Sequence, residues 1–73
     1  MAVIDAVATG AKIRKFRMDA NMTIKQVQDA CGVTSTSVCN WQNGKSIPSI
    51  DNLVILAALW HTTIDDMVVT ISM

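Results

Sequence analysis

The sequence is short, at 73 residues, and 51% of these are hydrophobic while only 16% are charged. A chain of this length forms one small domain with a limited core, so we expect a single domain over residues 1–73. The longest apolar run, residues 53–60, is too short to cross a bilayer, and no secretory signal pattern is present. These features predict a soluble, cytoplasmic protein.

The formal net charge is zero, but the charges are unevenly distributed. Residues 1–45 carry all six Lys and Arg against three Asp, a net charge of +3, whereas residues 46–73 carry three Asp and neither Lys nor Arg. Such asymmetry is typical of a nucleic-acid-binding face. Chance scatter of a few charges in a small domain is the alternative interpretation.

Both ends of the chain have a β-like composition. Residues 2–8 and the C-terminal tail are apolar and rich in β-branched side chains, which favours short extended arms. The arms would pair with each other or across a dimer, and local disorder of both is the alternative. Asp5 could instead cap a first helix. We prefer a helix that begins at Gly10, directly after Thr9, and ends at about Ala20.

Two short helices joined by a tight turn are predicted over residues 23–44. Thr23 is positioned as an N-cap, and Gln26, three residues later, completes a capping box. Gly32 follows the last apolar residue, where a helix end requires a left-handed conformation. Thr34 is the N-cap of the next helix. Two helices joined by a short turn that contains glycine are the signature of a helix-turn-helix motif.

The second helix of the motif has an apolar side and a polar side. Val38 and Trp41, three residues apart, point toward the core. The opposite side presents small polar side chains: Ser35, Thr36, Cys39, Asn40 and Asn43. In DNA-binding versions of the motif this helix reads base edges in the major groove. Ser and Thr bond several base edges, and Asn suits adenine.

Two further helices complete the predicted fold. After a loop at residues 45–48, Ser49 caps a strongly apolar helix that we expect to be buried. Thr63 caps a short last helix, with acidic residues in its first turn, where the helix dipole favours them. The predicted fold class is therefore all-α, with helices at about 10–20, 24–31, 35–43, 50–60 and 64–69.

A series of short segments matches one known pattern in order and without gaps. The segments are 13–17 (IRKFR), 22–27 (MTIKQV), 32–34 (GVT), 41–45 (WQNGK), 48–49 (PS), Leu53, 56–57 (LA) and 63–67 (TIDDM). Because of these segments, residues 9 to about 69 resemble the XRE family of Cro- and lambda-repressor-type helix-turn-helix domains. The resemblance implies a compact five-helix, lambda-repressor-like domain. It also implies a small transcriptional regulator, expected to be a repressor, that binds double-stranded DNA sequence-specifically.

The sequence departs from the common family pattern at three positions. The resemblance implies that Arg17 reaches the end of the recognition helix, where Gln42 stands in place of a frequent Glu. The usual ion pair then becomes a charge-to-amide hydrogen bond, or both side chains are solvated and never meet. Gln28 replaces a common Ala where the two helices cross. Ile24 replaces a frequent Gln, so any phosphate contact there must come from its backbone amide.

The polar side of the recognition helix and the resemblance together define a predicted DNA interface. Base contacts are expected from Ser35, Thr36, Cys39 and Asn40. Phosphate contacts, which position the protein without reading sequence, are expected from Thr23, Ile24, Lys25, Thr34, Ser37, Asn43 and Lys45. Only Asn40 offers bidentate readout, so a homodimer on two half-sites about one turn apart would compensate for modest monomer affinity. The apolar tails and the last two helices are candidates for its interface.

No catalytic or metal-binding pattern is found in the sequence. We identify no nucleophile with a base and no glycine-rich phosphate loop, so we predict no enzyme, no catalytic residue and no small-molecule substrate. Cys31, Cys39 and a single distant His61 do not have zinc-site spacing, so neither a metal nor a cofactor is predicted. The alternative function is a protein-interaction module or antitoxin-like partner on the same scaffold, which zero net charge favours.

Overall fold

The computed structural model describes residues 2–72. Within this range the chain forms five helices and two short strands. In chain order these are β1 (Ala2–Ile4), α1 (Ala6–Asp19), α2 (Ile24–Cys31), α3 (Ser35–Gln42), α4 (Ile50–Leu59), α5 (Ile64–Met67) and β2 (Thr70–Ser72). The predicted fold class is confirmed, since the described chain is mostly helical and its only sheet joins the two ends.

Helix α1 begins four residues earlier than predicted. Asp5 is the N-cap, and its carboxylate accepts a hydrogen bond of 3.0 Å from the amide three residues later. Thr9 and Gly10, the predicted start of this helix, lie inside it. Gly10 has a different role: a Cβ built on it would lie 2.1 Å from the Trp41 carbonyl oxygen. The glycine therefore allows α1 to pack closely against the end of α3.

The other helices begin at the residues expected from their caps. The hydroxyls of Thr23, Thr34, Ser49 and Thr63 each accept a hydrogen bond from the amide three residues on. Helix α5 is shorter than the predicted 64–69 and ends at Met67. The backbone becomes extended at Val68, because the chain from this point is used to pair with the N-terminal strand.

The core is one cluster to which all five helices contribute. Its buried members are Ile13, Val27, Val38, Trp41, Leu53, Leu56, Trp60 and Met67. Phe16 stacks on Trp60 with ring centroids 5.9 Å apart, and the Trp60 indole N–H donates to the Met22 sulfur at 3.3 Å. Together these contacts tie the first and fourth helices to the loop that precedes α2.

Helix α4 is less buried than its apolar sequence predicts. Leu53 and Leu56 lie in the core, but Ile50 is 75% exposed and Val54 is 54% exposed. The prediction of a buried helix was therefore wrong for one side of α4. A small domain has too few elements to cover an apolar helix on both sides, so the outer side faces solvent.

The two ends of the chain pair with each other. Strands β1 and β2 are antiparallel, with Val3 opposite Ile71, and the Asp5 amide continues the ladder to the Val69 carbonyl at 2.8 Å. The Asp5 carbonyl is used by the helix, so the Val69 amide donates instead to the Thr9 hydroxyl at 2.9 Å. Of the alternatives for the tails, mutual pairing within the chain is the one observed.

Candidate nucleic-acid interface

The turn between α2 and α3 is fixed from both sides. Val27 and Val38, both fully buried, hold the two helices together. Gly32 ends α2 in the left-handed conformation with φ 66°, and its amide donates back to the Gln28 carbonyl. Thr34 then caps α3. Because local hydrogen bonds specify this turn, the start of α3 has a defined position relative to α2.

Helix α1 holds the other end of α3. The Arg17 guanidinium donates to the Gln42 side-chain oxygen at 3.0 Å and to the Met22 carbonyl at 2.8 Å. The charge-to-amide hydrogen bond implied by the family resemblance is therefore formed, although Gln replaces Glu. Its second bond, to Met22, could not be read from the sequence pattern. Through Arg17 the C-terminal end of α3 is connected to both α1 and the loop before α2.

The turn after α3 places Asn43 and Lys45 beside the helix. The Lys45 amide donates to the Asn40 carbonyl at 2.9 Å, which closes the turn. Gly44 has φ 76°, and a Cβ on it would lie 2.8 Å from the Val7 backbone. The turn thus rests on the first turn of α1, and both Asn43 and Lys45 remain exposed.

The polar side of α3 lies opposite its buried side. At about 100° per residue, Thr36, Cys39, Asn40 and Asn43 fall within an arc of about 100°, away from the buried Val38 and Trp41. We call these four residues the polar stripe; Ser35 borders it. Ser35, Thr36 and Asn43 are exposed, while Cys39 and Asn40 are half-buried. The four predicted base-contact residues are therefore brought together on one surface.

In the part of the chain that the structure describes, the side chains of the four predicted base-contact residues have no hydrogen-bond partner. Among the hydrogen bonds within residues 2–72, none involves the side chain of Ser35, Thr36, Cys39 or Asn40. By contrast, the neighbouring Thr34 and Ser37 hydroxyls lie 3.1 Å apart and are hydrogen-bonded. The donors and acceptors on the polar side of α3 therefore remain available to an external group.

Several of the predicted phosphate-contact side chains have partners within the protein. Thr23 and Gln26 form a capping box through bonds of 3.1 and 2.8 Å, and Thr34 caps α3. Lys25 pairs with Asp29 at 2.9 Å, with both side chains mostly exposed. This pair was missed by sequence reasoning, although the four-residue spacing on a helix is its signal. An exposed pair of this kind is weak, so Lys25 can exchange partners at little cost.

The two cysteines lie in different surroundings. Cys31 packs at the edge of the core, and burial raises the pKa of its thiol. Cys39 lies on the polar stripe of α3. Within residues 2–72 no group of three or more His, Cys, Asp or Glu side chains is arranged to hold a metal ion. In the same part of the chain, no helix is both long and apolar enough to cross a membrane.

Comparison with known families identifies the two-helix unit and its supporting helices. Residues 13–66 match the helix-turn-helix family model HTH_3. The matched range includes α2, α3 and α4 in full. The chain belongs to this family. The XRE-type resemblance is thereby confirmed, and the family is one of DNA-binding transcription regulators.

One curated relative and several solved structures are similar to the chain. The transcriptional activator BcrR of Enterococcus faecalis is 27% identical over 56 residues, which is 77% of this chain. The chain spans only 28% of that relative. The restriction-modification controller protein C.AhdI of Aeromonas hydrophila shares the fold with a TM-score of 0.77 at 19% identity, covering 86% of this chain and 96% of that one.

A second solved structure gives the same result for the fold. The gene regulator ClgR of Corynebacterium glutamicum has a TM-score of 0.74 at 22% identity, covering 85% of this chain and 80% of that one. Identities this low establish a shared fold, and not a shared binding site.

Proposed function

We propose that this protein binds double-stranded DNA sequence-specifically as a small transcriptional regulator, with α3 in the major groove. One observation carries the proposal: Thr36, Cys39 and Asn40 form an unengaged polar surface on a helix that is fixed at both ends. A fixed helix positions side chains for base edges, and unengaged groups have no internal partner to give up. The proposal also places the protein in the cytoplasm, where it would reach DNA.

The surrounding residues would position the domain on the DNA backbone. Asn43 and Lys45 are exposed at the end of α3, and Lys25 carries only a weak surface pair. Thr23, Thr34 and Ser37 use their hydroxyls in helix caps. Their contribution would come mainly from the oriented backbone amides of the first helical turns, including that of Ile24, which favour a phosphate.

A homodimer is part of the proposal, and its interface is the outer side of α4 and the preceding loop. Ile47, Ile50 and Val54 are 40%, 75% and 54% exposed. Ile47 follows Lys45 by two residues, so the surface borders the proposed DNA-facing turn. A two-fold axis at this surface would bring two copies of α3 to the same side of the molecule. A standard interface of about 800 Å² per partner would use roughly a fifth of the 4502 Å² surface.

The dimer is tested by the oligomeric state of surface variants. Val54→Asp places a charge in the proposed interface and should give a monomer by sedimentation equilibrium. Met18→Asp is the matched control, because Met18 is 53% exposed on α1, away from this surface. A monomeric wild type, or a dimer that survives Val54→Asp, would contradict this interface.

We propose repression as the direction of regulation. A dimer bound within a promoter blocks access to DNA without any further contact, whereas activation needs an additional surface for the transcription machinery. The relative BcrR is named an activator, so a promoter-reporter assay in which the protein is expressed must decide the direction. Reporter output should fall, and a rise would show activation instead.

The experiment that tests DNA binding is selection of bound duplexes from a random library, followed by titration of the recovered site at two salt concentrations. A palindrome with half-sites about 10 base pairs apart is expected for a dimer. Salt-dependent binding without a common sequence motif would indicate nonspecific DNA binding and contradict sequence-specific recognition. The absence of binding at low salt would exclude the proposed function.

A protein-interaction module is the second candidate function. This function is favoured because several basic residues already have partners within the protein. Arg17 binds Gln42 and Met22, Lys25 pairs with Asp29, and Lys12 donates to the Asp66 carbonyl at 2.9 Å. Internal partners therefore take half of the six cations of a chain with zero net charge. This candidate predicts no salt-dependent affinity for any duplex, so the same titration separates the two functions.

A further inference from the structure

The recognition helix lacks the side chains that read G·C pairs through charge. Residues 35–42 contain no Lys, Arg, Asp or Glu. Arg and Lys are the usual partners of guanine in the major groove, and acidic side chains accept from the cytosine amino group. Arg17 contacts the end of α3 but is bonded to Gln42 and to the Met22 carbonyl. Lys25 is paired with Asp29, and Lys45 lies beyond the end of the helix. Strong selection of G·C pairs therefore has no source on this surface.

The side chains that are present suit A·T pairs. Asn40 has an amide without an internal hydrogen bond in the described chain, and such an amide binds the N6 and N7 groups of adenine in a bidentate manner. Thr36 offers a methyl group beside its hydroxyl, and Cys39 offers a small polarisable sulfur that behaves as an apolar group. Both fit the C5-methyl group of thymine, the one apolar feature in the major groove.

The spacing of these three residues matches a short run of bases. Thr36 and Asn40 are separated by about 6 Å along the helix axis, with Cys39 between them on the same face. This corresponds to roughly two base-pair steps of about 3.4 Å. Ser35, at the border of the stripe, can bond to several bases and adds little discrimination.

We infer that each DNA half-site has a core of A·T pairs, in which Asn40 binds an adenine and Thr36 and Cys39 contact thymine methyl groups. The inference rests on the proposed function, since it specifies the sequence that the same surface reads. Specificity at the core then comes from one amide and two apolar contacts, and guanine-directed contacts are absent from it.

The test uses base analogues in the duplex recovered by selection, with the full chain titrated by fluorescence anisotropy. Each thymine is replaced in turn by deoxyuridine, which lacks only the methyl group, and each adenine by 7-deazaadenine, which lacks only the N7 acceptor. Deoxyuridine should weaken binding about fourfold at the core thymines, the effect of one methyl-sized apolar group. Deazaadenine should weaken it about fivefold at one adenine, the effect of one hydrogen bond.

Variants assign each effect to a side chain. Cys39→Ser should remove the sensitivity to deoxyuridine at one thymine, Thr36→Ser at another, and Asn40→Ala the sensitivity to deazaadenine. Cys31→Ser is the control, because it makes the same chemical change on α2, away from the polar stripe, and should keep all three effects. Circular dichroism verifies that every variant is folded.

The possible outcomes separate this inference from the proposed function. A salt-dependent, specific site with a G·C core overturns the A·T inference and leaves DNA binding intact. The same holds if an A·T site binds equally well with deoxyuridine at every position. If no duplex binds at low salt, the proposed function fails and the inference fails with it.

Discussion

Thr9 and Val69 are joined by two hydrogen bonds across sixty residues of sequence. The Thr9 hydroxyl accepts from the Val69 amide at 2.9 Å and donates to the Val69 carbonyl at 3.4 Å. Thr9 is only 1% exposed, so water cannot replace the hydroxyl. This side chain completes the ladder between β1 and β2 at the point where the chain leaves β1 and enters α1.

Thr9→Val should destabilise the protein, although it keeps the shape of the side chain. The substitution leaves the partly buried Val69 amide without its acceptor, which costs about 1–3 kcal/mol. Urea denaturation followed by circular dichroism measures the loss. Thr9→Ser keeps the hydroxyl and should be less affected. Equal stability of the valine variant and the wild type would show that the terminal sheet contributes nothing to folding.

Two glycines should respond to alanine substitution for different reasons. At Gly10 the added Cβ meets the Trp41 carbonyl at 2.1 Å, so α1 and α3 must separate, which we expect to cost about 1–3 kcal/mol or more. A Cβ added at Gly32 would have no atom within 4 Å apart from its chain neighbours. The cost there is that of holding alanine in a left-handed conformation with φ 66°, about 1–2 kcal/mol. Thermal unfolding measures both variants.

The two substitutions also differ in their expected effect on DNA binding. Gly10→Ala should lower affinity under conditions where the protein is still folded, because it displaces the helix that supports α3. Gly32→Ala, with free space around the new methyl group, should change affinity less for the same loss of stability. Equal effects of the two variants would contradict a positioning role for the α1–α3 contact.

The sequence predicts the elements that depend on local chemistry. Thr23, Thr34 and Gly32 mark helix ends because their own side chains or conformations form the cap, so neighbouring residues suffice to identify them. The polar stripe of α3 follows from helical periodicity in the same way. The residues expected to contact DNA stay predictions, since their role depends on a partner outside the chain.

The features that the sequence did not predict depend on residues far apart in the chain. Gly10 resembles a helix start until α3 is placed against it. The pairing of β1 with β2 is one of several alternatives that the sequence leaves open, because it depends on both chain ends reaching the same side of α1. Hydrogen bonds such as Thr9 to Val69 have no periodic signal, because two residues sixty positions apart are brought together only by the packed helices.

Gln42→Glu should stabilise the protein at neutral pH. Arg17 already donates to the Gln42 oxygen at 3.0 Å, and a carboxylate at the same place would make a charge-assisted bond, which is stronger than a bond to a neutral amide. The expected gain is on the order of 0.5–1 kcal/mol for this partly buried pair, and it should decrease at high salt. Thermal unfolding at two salt concentrations measures it.

The matched control is Gln42→Ala, which removes the acceptor and should destabilise the protein because Arg17 loses one of its two partners. If neither Gln42→Glu nor Gln42→Ala changed the stability of the protein, the Met22 carbonyl alone would hold Arg17 in place.

Lys45 and Lys25 should differ in their contribution to DNA binding, although each carries one positive charge near α3. Within residues 2–72 the Lys45 ammonium has no hydrogen-bond or ion-pair partner, whereas Lys25 pairs with Asp29 at 2.9 Å. Lys45→Ala should weaken binding to specific and random duplexes alike, because a phosphate contact carries no sequence information. It should also reduce the slope of log affinity against log salt by about one.

Lys25→Ala should reduce the salt slope less than Lys45→Ala does. In the wild type Lys25 must exchange Asp29 for a phosphate when DNA binds, and the freed Asp29 carboxylate then repels the DNA backbone. Asp29→Asn should strengthen binding for the same reason. Lys15→Ala on the exposed side of α1 is the control for loss of charge alone. Titrations at several salt concentrations distinguish these variants, and a slope unchanged by Lys45→Ala would place the turn after α3 away from the phosphates.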